Sequence, residues 1–363
     1  AREYAPAELM TRFAEWLVNG YGIDPEATWL VDHNDFRLIL QANPDGRKQA
    51  ETGLSWRKNT NNIDGACGSG NSIGIDLNRN FPFHWNITNG VGSSGNTCSE
   101  TFRGPLRQSE PETENLMGYV AGTCNLAGEC TGGVFTDRRS GSMDPASGND
   151  DGGAAPDDTR GIFFDMHSYS DLVLWSWGDT AALAPNGTQL RTLGRRMAWF
   201  NQYDPQPAVE LYPTDGTTDD SMYGLLGVPA YTFELDDAFF QSCGSFEGDT
   251  LPKNINALRY SARALHAPYL LPKGPDTVVV DANGADLVEI GTAVDISAQI
   301  DSSRFRQGNP AEPVYPIASV NAYLDQLPWD AGASAMAMTA ADGAFDSNSE
   351  TATLSLSTTG WSS

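Results

Sequence analysis

The chain has 363 residues, of which 40% are apolar and 19% charged, and 47 acidic against 22 basic side chains give a formal net charge of −25. This acid excess disfavours nucleic acid and anionic membrane surfaces as partners. No stretch approaches the roughly 18 apolar residues that a membrane span needs. The length exceeds what one hydrophobic core usually serves, so the chain is expected to form two domains.

The cysteines stand at positions 67, 98, 124, 130 and 243, and none forms a C-x-x-C pair. This spacing disfavours a zinc ribbon or a thioredoxin-like site. Each cysteine lies in a segment rich in Gly, Asn or Ser, which favours loop disulfides formed in an oxidising compartment, so we expect a secreted protein. The odd count leaves one thiol over, or its partner lies outside this chain.

The predicted elements of the first part alternate between helices and apolar strands. The first helix carries Leu9, Phe13, Trp16 and Leu17 on one stripe. Ser109 and Glu112 are spaced as a capping box, and "RGIFFDMHSY" is typical of a buried strand. The predicted helices cover 3–19, 109–121, 186–203 and 252–267, and the predicted strands cover 36–40, 160–169 and 229–235. This alternation predicts an α/β fold.

The pattern changes after "PYLLPKGPDT", where short alternating strands and Gly/Asp turns begin near residue 276. We predict an α/β domain over 1–274 and a β-sandwich over 275–363 that is incomplete at "STTGWSS". Segment 138–159 is acidic and Gly-rich. It could supply oxygen ligands to Ca²⁺, but a solvated insertion is the simpler interpretation of such a composition.

Several polar residues stand at or near the ends of predicted strands. His167 ends an apolar strand, where ligands of open α/β sheets converge, although a lone histidine is more often structural. Arg79 with the amide of Asn78 suits a planar carboxylate, and Arg57 is a second fixed cation; either arginine could equally lie in an ordinary surface loop. Glu234 is a carboxylate in an apolar strand, which is costly without a partner, so a general base is one interpretation.

The order of these motifs resembles that of the zinc metallocarboxypeptidases of the carboxypeptidase A, B and T type. The resemblance covers roughly residues 1–270 and rests on "AREY", "WRKN", "GIDLNRNF", "CSETFRGP", "SEPET", "DMHSYS", "ELYPTDGTTDD" and "YTFEL". It implies that residues 1–274 form a catalytic domain, an α/β/α sandwich around a mixed sheet whose leading strands are missing here. The partial C-terminal β-sandwich follows this domain. It also implies a monomer that binds one zinc ion and acts on peptide or protein C-termini.

Carried over by position, the resemblance implies that Glu3 and His167 bind zinc. The family's H-x-x-E motif further implies a histidine immediately before Ala1, so a chain that begins at Ala1 should bind zinc weakly and be inactive. Asp76 matches the carboxylate that orients this histidine. Glu234 matches the general base, and Arg57 matches the side chain that polarises the scissile carbonyl.

The resemblance also assigns residues to the substrate. The terminal carboxylate would be bound by Asn78, Arg79 and Tyr212, and neighbouring subsites would be lined by Arg2 and Tyr169. Asp219 matches the base of the pocket for the C-terminal side chain, where an acid favours Lys or Arg, with mixed specificity as the alternative. Asp215 competes for that role, and capping of the next helix by Asp219 and Asp220 is the structural alternative.

The resemblance matches Cys67 with Cys98 as a disulfide, and a local bridge between Cys124 and Cys130 would leave Cys243 over. Two alternatives to a carboxypeptidase stay open. One is a zinc amidase or deacylase of the same fold, and the other is an inactive relative that binds peptides. Asn78, Arg79 and Tyr212 argue against the first alternative, and the joint presence of Glu3, His167, Arg57 and Glu234 argues against the second.

Overall fold

A computed structural model describes residues 1–62, 67, 70–125, 127–139, 143–144, 149–150, 152–282 and 288–360. The chain divides into two compact units, Ala1–Leu271 and Pro272–Ser363. Among the described residues no helix is both long and apolar enough to cross a membrane.

The helices of the first unit bury apolar stripes against its core. In α1, Leu9, Phe13 and Leu17 are buried, and the helix starts with a proline in its first turn, where the missing N–H costs no hydrogen bond. In α5, Leu190, Leu193 and Met197 are completely buried. The α-helices are α1 Ala5–Gly20, α2 Pro25–His33, α3 Pro44–Ala50, α4 Pro111–Val120, α5 Gly187–Asn201, α6 Thr218–Leu226, α7 Cys243–Ser245 and α8 Leu251–Ala264.

A four-stranded mixed sheet, ordered β5-β8-β6-β7, lies in the first unit. Strands β5 and β8 are parallel, β8 and β6 antiparallel, and β6 and β7 parallel. Tyr231 and Phe233 in β8 are both fully buried, which explains the continuous apolar run of this strand. The first unit's strands are β1 Gly122–Cys124, β2 Cys130–Gly132, β3 Met143–Asp144, β4 Asn149–Asp150, β5 Phe163–His167, β6 Leu172–Trp175, β7 Asp204–Pro207 and β8 Ala230–Glu234. The mixed sheet with its helices confirms the predicted α/β class.

Three local predictions are wrong. Strand β5, predicted to be buried, is only partly buried at each residue, and it lies at the edge of the four-stranded sheet. The predicted strand over 36–40 is irregular in the structure, with Ile39 and Leu40 exposed. The turn that follows is instead the start of α3, where the Asn43 side chain accepts from the N–H of Gly46. The predicted capping box does not form, because α4 begins after Glu110 without a side-chain cap and the Ser109 hydroxyl hydrogen-bonds to Asn80 and Glu110.

The first unit contains two disulfides among its described residues. Cys67 is bonded to Cys98, and Cys124 to Cys130, which links the paired ends of β1 and β2. Cys243 is a free, exposed thiol. Much of the acidic segment 138–159, where calcium ligands were considered, lies outside the described residues.

The second unit is built on a four-stranded antiparallel sheet ordered β13-β14-β10-β9. Strands β10 and β14 pair over their whole length, from Ala293 opposite Ser357 to Asp301 opposite Ser349. A small core of Ala298, Ile300, Ile317, Met338 and Ala352 covers the sheet. The strands are β9 Asp276–Asp281, β10 Ala293–Asp301, β11 Asn321–Ala322, β12 Met336–Ala337, β13 Thr339–Ala340 and β14 Ser349–Ser357.

Candidate active site

Glu3 and His167 meet at one point although they lie far apart in the sequence. Glu3 stands just before α1, His167 ends β5, and the distance from Glu3 Oε2 to His167 Nδ1 is 2.9 Å. The backbone N–H of Ser168 also donates to Glu3 Oε2, at 3.3 Å. Burial alone would raise the pKa of Glu3, but the His167 imidazole outweighs this and lowers it below its ordinary value. The structure thus brings the two predicted zinc ligands together.

The other side of the His167 ring faces a carboxylate that the sequence analysis missed. Asp165 Oδ2 lies 2.9 Å from His167 Nε2, so the imidazole stands between two acids. Burial works to lower the pKa of His167, yet Asp165 and Glu3 together raise it well above its ordinary value. An acid two positions before the histidine in an apolar strand was the available signal, since side chains two apart share one face of a strand.

Glu234 ends β8 beside this pair. His167 and Glu234 are register partners in the parallel ladder between β5 and β8. Burial raises the pKa of Glu234 to about 8, an effect that nearby His167 opposes and Glu3 reinforces. A half-buried carboxyl with a raised pKa beside candidate metal ligands is typical of a functional group rather than of a surface acid.

Arg57 is fixed by Asp76. Its Nε donates to Asp76 Oδ2 at 2.8 Å, and the two side chains are 15% and 4% exposed. Burial works against the charged guanidinium, but Asp76 and Glu3 raise the pKa of Arg57 above its ordinary value. Arg57 therefore stays a cation near Glu3. Among the described residues Asp76 accepts a hydrogen bond from this arginine. That Asp76 orients a histidine before Ala1 stays a prediction.

The predicted carboxylate-binding residues differ in how they are held. Arg79 donates from Nε to the Gly92 carbonyl at 2.8 Å and from Nη1 to the Asn78 carbonyl at 2.5 Å, which fixes the guanidinium plane. The same guanidinium lies 5.9 Å from the ring centre of Tyr212, which is 48% exposed. The Asn78 side-chain amide contacts Asp165 and His167, so in this arrangement it borders the candidate metal ligand.

Arg2 and Tyr169, predicted to line neighbouring subsites, both contact Phe239. Arg2 lies 4.0 Å from the centre of the Phe239 ring and donates to Ser55 and Glu100. Tyr169 packs edge-to-face on the same ring at 4.8 Å. The structure brings these two residues together around one aromatic side chain.

The acids considered for the specificity pocket are all buried. Asp219 is 3% exposed, Asp220 1% and Asp215 fully buried. Burial raises the pKa of Asp219, and burial with the Asp219 and Asp179 charges raises the pKa of Asp220 well above its ordinary value. Asp215 Oδ2 accepts from the N–H and hydroxyl of Thr88, at 3.0 and 2.6 Å, so that oxygen already serves a loop contact.

The donor chemistry at Glu3 and His167 fits zinc, which takes imidazole nitrogen and carboxylate oxygen in hydrolytic sites. The described residues contain no group of three or more His, Cys, Asp or Glu side chains arranged to hold a metal ion. Glu3 and His167 are therefore two candidate metal ligands, and the described residues do not supply a third.

The sequence pattern of the zinc carboxypeptidases matches residues 1–131 and 157–246, which is more than half of the chain. The chain belongs to the zinc carboxypeptidase family. Membership confirms the resemblance drawn from the short motifs and implies zinc as the metal of the family site.

Curated relatives agree with this assignment. The chain is 31% identical over 244 residues to a zinc carboxypeptidase of Saccharothrix mutabilis subsp. capreolus, covering 65% of this chain and 48% of the relative. It is 27% identical over 250 residues to carboxypeptidase A1 of Rattus norvegicus, and 27% over 245 residues to carboxypeptidase B of Homo sapiens, with 65% and 49% covered in both cases. The chain spans about half the length of the curated relatives it matches.

Solved structures support the fold. The thrombin activatable fibrinolysis inhibitor matches with a TM-score of 0.55 at 22% identity, covering 73% of this chain and 59% of that one. The bovine form in complex with a tick carboxypeptidase inhibitor matches with a TM-score of 0.53 at 21% identity, covering 73% of this chain and 79% of that one.

Proposed function

We propose that the protein is a zinc-dependent metallocarboxypeptidase that hydrolyses the C-terminal peptide bond of peptides and proteins. The observation that carries the proposal is the convergence of Glu3, His167 and Glu234, because it sets a candidate general base beside two candidate metal ligands. Peptide and water would give a shortened peptide and a free amino acid.

Glu3 Oε2 and His167 Nδ1 would hold the zinc ion, with further ligands from outside this pair. When bound, zinc supplies Lewis-acid chemistry, polarising a carbonyl and acidifying water. Glu234 would accept the proton of the attacking water and pass it to the leaving amine nitrogen. Arg57, held as a cation by Asp76, would stabilise the negative charge that develops on the carbonyl oxygen.

Arg79 would bind the substrate's terminal carboxylate, with Tyr212 covering it and Asn78 nearby. The two backbone carbonyls that bind Arg79 pre-set the guanidinium plane, and a fixed fork suits the two oxygens of a carboxylate. Arg2 and Tyr169 would contact residues further along the peptide, next to Phe239.

Asp219 would favour Lys or Arg as the residue released. It is buried and engages no cation among the contacts described, and a cationic substrate side chain would compensate its charge. The net charge of −25 would also attract basic peptides. We propose secretion as well, because Cys67–Cys98 and Cys124–Cys130 suit an oxidising compartment.

The test, on zinc-loaded full-length protein, compares a peptide ending in a free C-terminal arginine with the same peptide amidated at its C-terminus. Release of arginine from the free acid alone supports a carboxypeptidase. Equal cleavage of both peptides indicates an amidase of the same fold, and zinc-loaded protein that binds the peptide without turnover indicates an inactive relative.

A further inference from the structure

The His167 ring is held by Asp165 on the side that faces away from Glu3. Asp165 and His167 lie on the same side of β5, because side chains two apart in a strand point the same way. The carboxylate oxygen Asp165 Oδ2 lies 2.9 Å from His167 Nε2. The ring is thus engaged at both nitrogens, Nδ1 by Glu3 and Nε2 by Asp165.

The same carboxylate oxygen contacts two further donors from distant parts of the chain. The Thr218 hydroxyl, at the start of α6, donates to Asp165 Oδ2. The Asn78 amide nitrogen lies 3.3 Å from this oxygen and 3.1 Å from His167 Nε2. Asp165 therefore joins the end of β5 to the segment around Asn78 and to the start of α6.

The orientation of the Asn78 amide decides which groups donate. Its Oδ1 accepts from the backbone N–H of Thr218 at 2.9 Å, and only the oxygen of an asparagine amide can accept a hydrogen bond. The amide NH₂ must then face His167 and Asp165. Two donors cannot bond each other, so Asn78 Nδ2 and a protonated His167 Nε2 both point to the shared acceptor, Asp165 Oδ2.

We propose that Asp165 is a positioning residue for His167: it accepts the Nε2 proton and so turns Nδ1 toward Glu3 and the zinc ion. A carboxylate on the second nitrogen of a ligating histidine fixes the ring orientation and the tautomer and increases ligand basicity. Through Asn78 and Thr218, Asp165 also links the metal ligand to the segment that precedes Asp219. The inference rests on the proposed zinc site for its metal, but the contact with His167 is a property of the chain itself.

The first experiment needs no metal. In protein labelled with ¹⁵N-histidine, the Nε2–H proton of His167 should be protected from exchange and give a downfield resonance, assigned by its loss in His167→Gln. The correlation of Nε2 with both carbon-bound ring protons distinguishes this signal from that of an Nδ1–H facing Glu3. Asp165→Ala should abolish this signal, whereas Asp165→Asn should keep it, because the amide oxygen can still accept. Asp171→Asn, the same change at an exposed acid nearby, is the matched control and should leave it unchanged.

The second experiment measures zinc affinity by competition with a chromophoric chelator. Asp165→Ala should bind zinc about 10- to 100-fold more weakly than the wild type, in line with the loss of a carboxylate that supports a ligand. Asp165→Asn should show a smaller loss, and Asp171→Asn none. If Asp165→Ala does not fold, the zinc affinity of Asp165→Asn is the test. An Asp165→Asn variant that binds zinc as tightly as the wild type overturns the inference.

The outcomes separate the inference from the proposed function. A His167 Nε2–H signal that stays protected and downfield in Asp165→Ala overturns the role of Asp165, whatever the zinc affinity. The expected N–H pattern in a wild-type protein that does not bind zinc supports the role of Asp165 in positioning the ring and contradicts the proposed zinc site.

Discussion

His167 and Glu234 are register partners at the carboxyl ends of the parallel strands β5 and β8. Neighbouring strands lie about 4.8 Å apart, so the sheet itself sets the spacing between the candidate metal ligand and the candidate base. Because hydrogen bonds between the two strands fix this spacing, it does not depend on the conformation of the loops. Two adjacent strand ends therefore carry both candidate groups.

The first prediction concerns Glu234. Glu234→Gln keeps the shape of the side chain but cannot accept a proton, so kcat on a C-terminal arginine peptide should fall about 10²- to 10⁴-fold. KM and bound zinc, measured by atomic absorption, should stay at wild-type values. Glu210→Gln, at an exposed position, is the control. A Glu234→Gln variant with near wild-type kcat would remove Glu234 from the mechanism.

The second prediction concerns the pocket for the C-terminal side chain. Asp219→Ser should lower kcat/KM for peptides ending in Lys or Arg by about 30-fold or more, since loss of one partner of a buried charge pair costs about 2 kcal/mol or more. Peptides ending in Leu should be cleaved no more slowly than by the wild type.

Asp215→Asn is the matched comparison for Asp219→Ser. Asp215 already accepts two hydrogen bonds from Thr88, so its substitution should leave the ratio between basic and apolar substrates unchanged. A loss of basic preference in Asp215→Asn and none in Asp219→Ser would transfer the specificity role to Asp215.

Regular elements with a strong period were predictable from the sequence, whereas contacts between distant segments were not. The apolar stripe of Leu9, Phe13 and Leu17 suffices to locate α1. The capping box at Ser109 failed because Asn80, far away in sequence, takes the serine hydroxyl. The apolar residues Ile39 and Leu40 looked like a strand, but they are exposed and unpaired with any strand among the described residues.

In the candidate site too, local motifs were predictable from the sequence and contacts between distant segments were not. The ordered motifs pointed to Glu3, His167 and Glu234, and the structure brings them together. Asp165 stood in one of the quoted motifs, but its significance depends on Thr218 and Asn78, which reach it from α6 and from the segment around residue 78. The spacing of two residues from His167 signals a shared strand face, but no local pattern reveals the contacts from Thr218 and Asn78.

The third prediction concerns Lys58, a fully buried lysine next to Arg57. Its ammonium group donates to the carbonyls of Ser72, Thr97 and Ser99 at 2.5, 3.0 and 2.9 Å. It thus ties together two loop segments that flank the Cys67–Cys98 disulfide. Lys58→Met removes these charge-assisted bonds and should lower the free energy of unfolding by about 2–4 kcal/mol.

Urea unfolding followed by tryptophan fluorescence measures the effect of Lys58→Met. Lys48→Met is the control, because Lys48 is 75% exposed and its nearest acid, Asp45, is 3.6 Å away, so the change should stay within about 0.5 kcal/mol. Equal stability of both variants would show that the three carbonyls are satisfied without the ammonium group.

The fourth prediction concerns the pH dependence of stability at Asp220. This side chain is 1% exposed, and its Oδ2 accepts from the N–H of Gly178 at 2.9 Å. Burial, then the Asp219 and Asp179 charges, raise its pKa well above the ordinary value of 3.8. The folded state therefore holds this proton more tightly than the unfolded chain does.

The sign of the pH effect follows from this difference in pKa. The contribution of Asp220 to stability is most favourable below about pH 4 and is lost as the pH rises from the unfolded pKa toward the folded one. Asp220→Asn removes the ionisation while its side-chain oxygen can still accept from Gly178. Between pH 4 and pH 7 its free energy of unfolding should thus rise relative to the wild type by on the order of 1 kcal/mol or more.

Urea unfolding at pH 4, 5.5 and 7 measures this relative change. Glu114→Gln, at an exposed position on α4, should stay parallel to the wild type across the range. If the difference between Asp220→Asn and the wild type is the same at all three pH values, then Asp220 ionises equally in the folded and unfolded chains. Burial would then impose no penalty on the charge of Asp220. The pocket proposed at Asp219 for Lys or Arg side chains would lose its electrostatic basis.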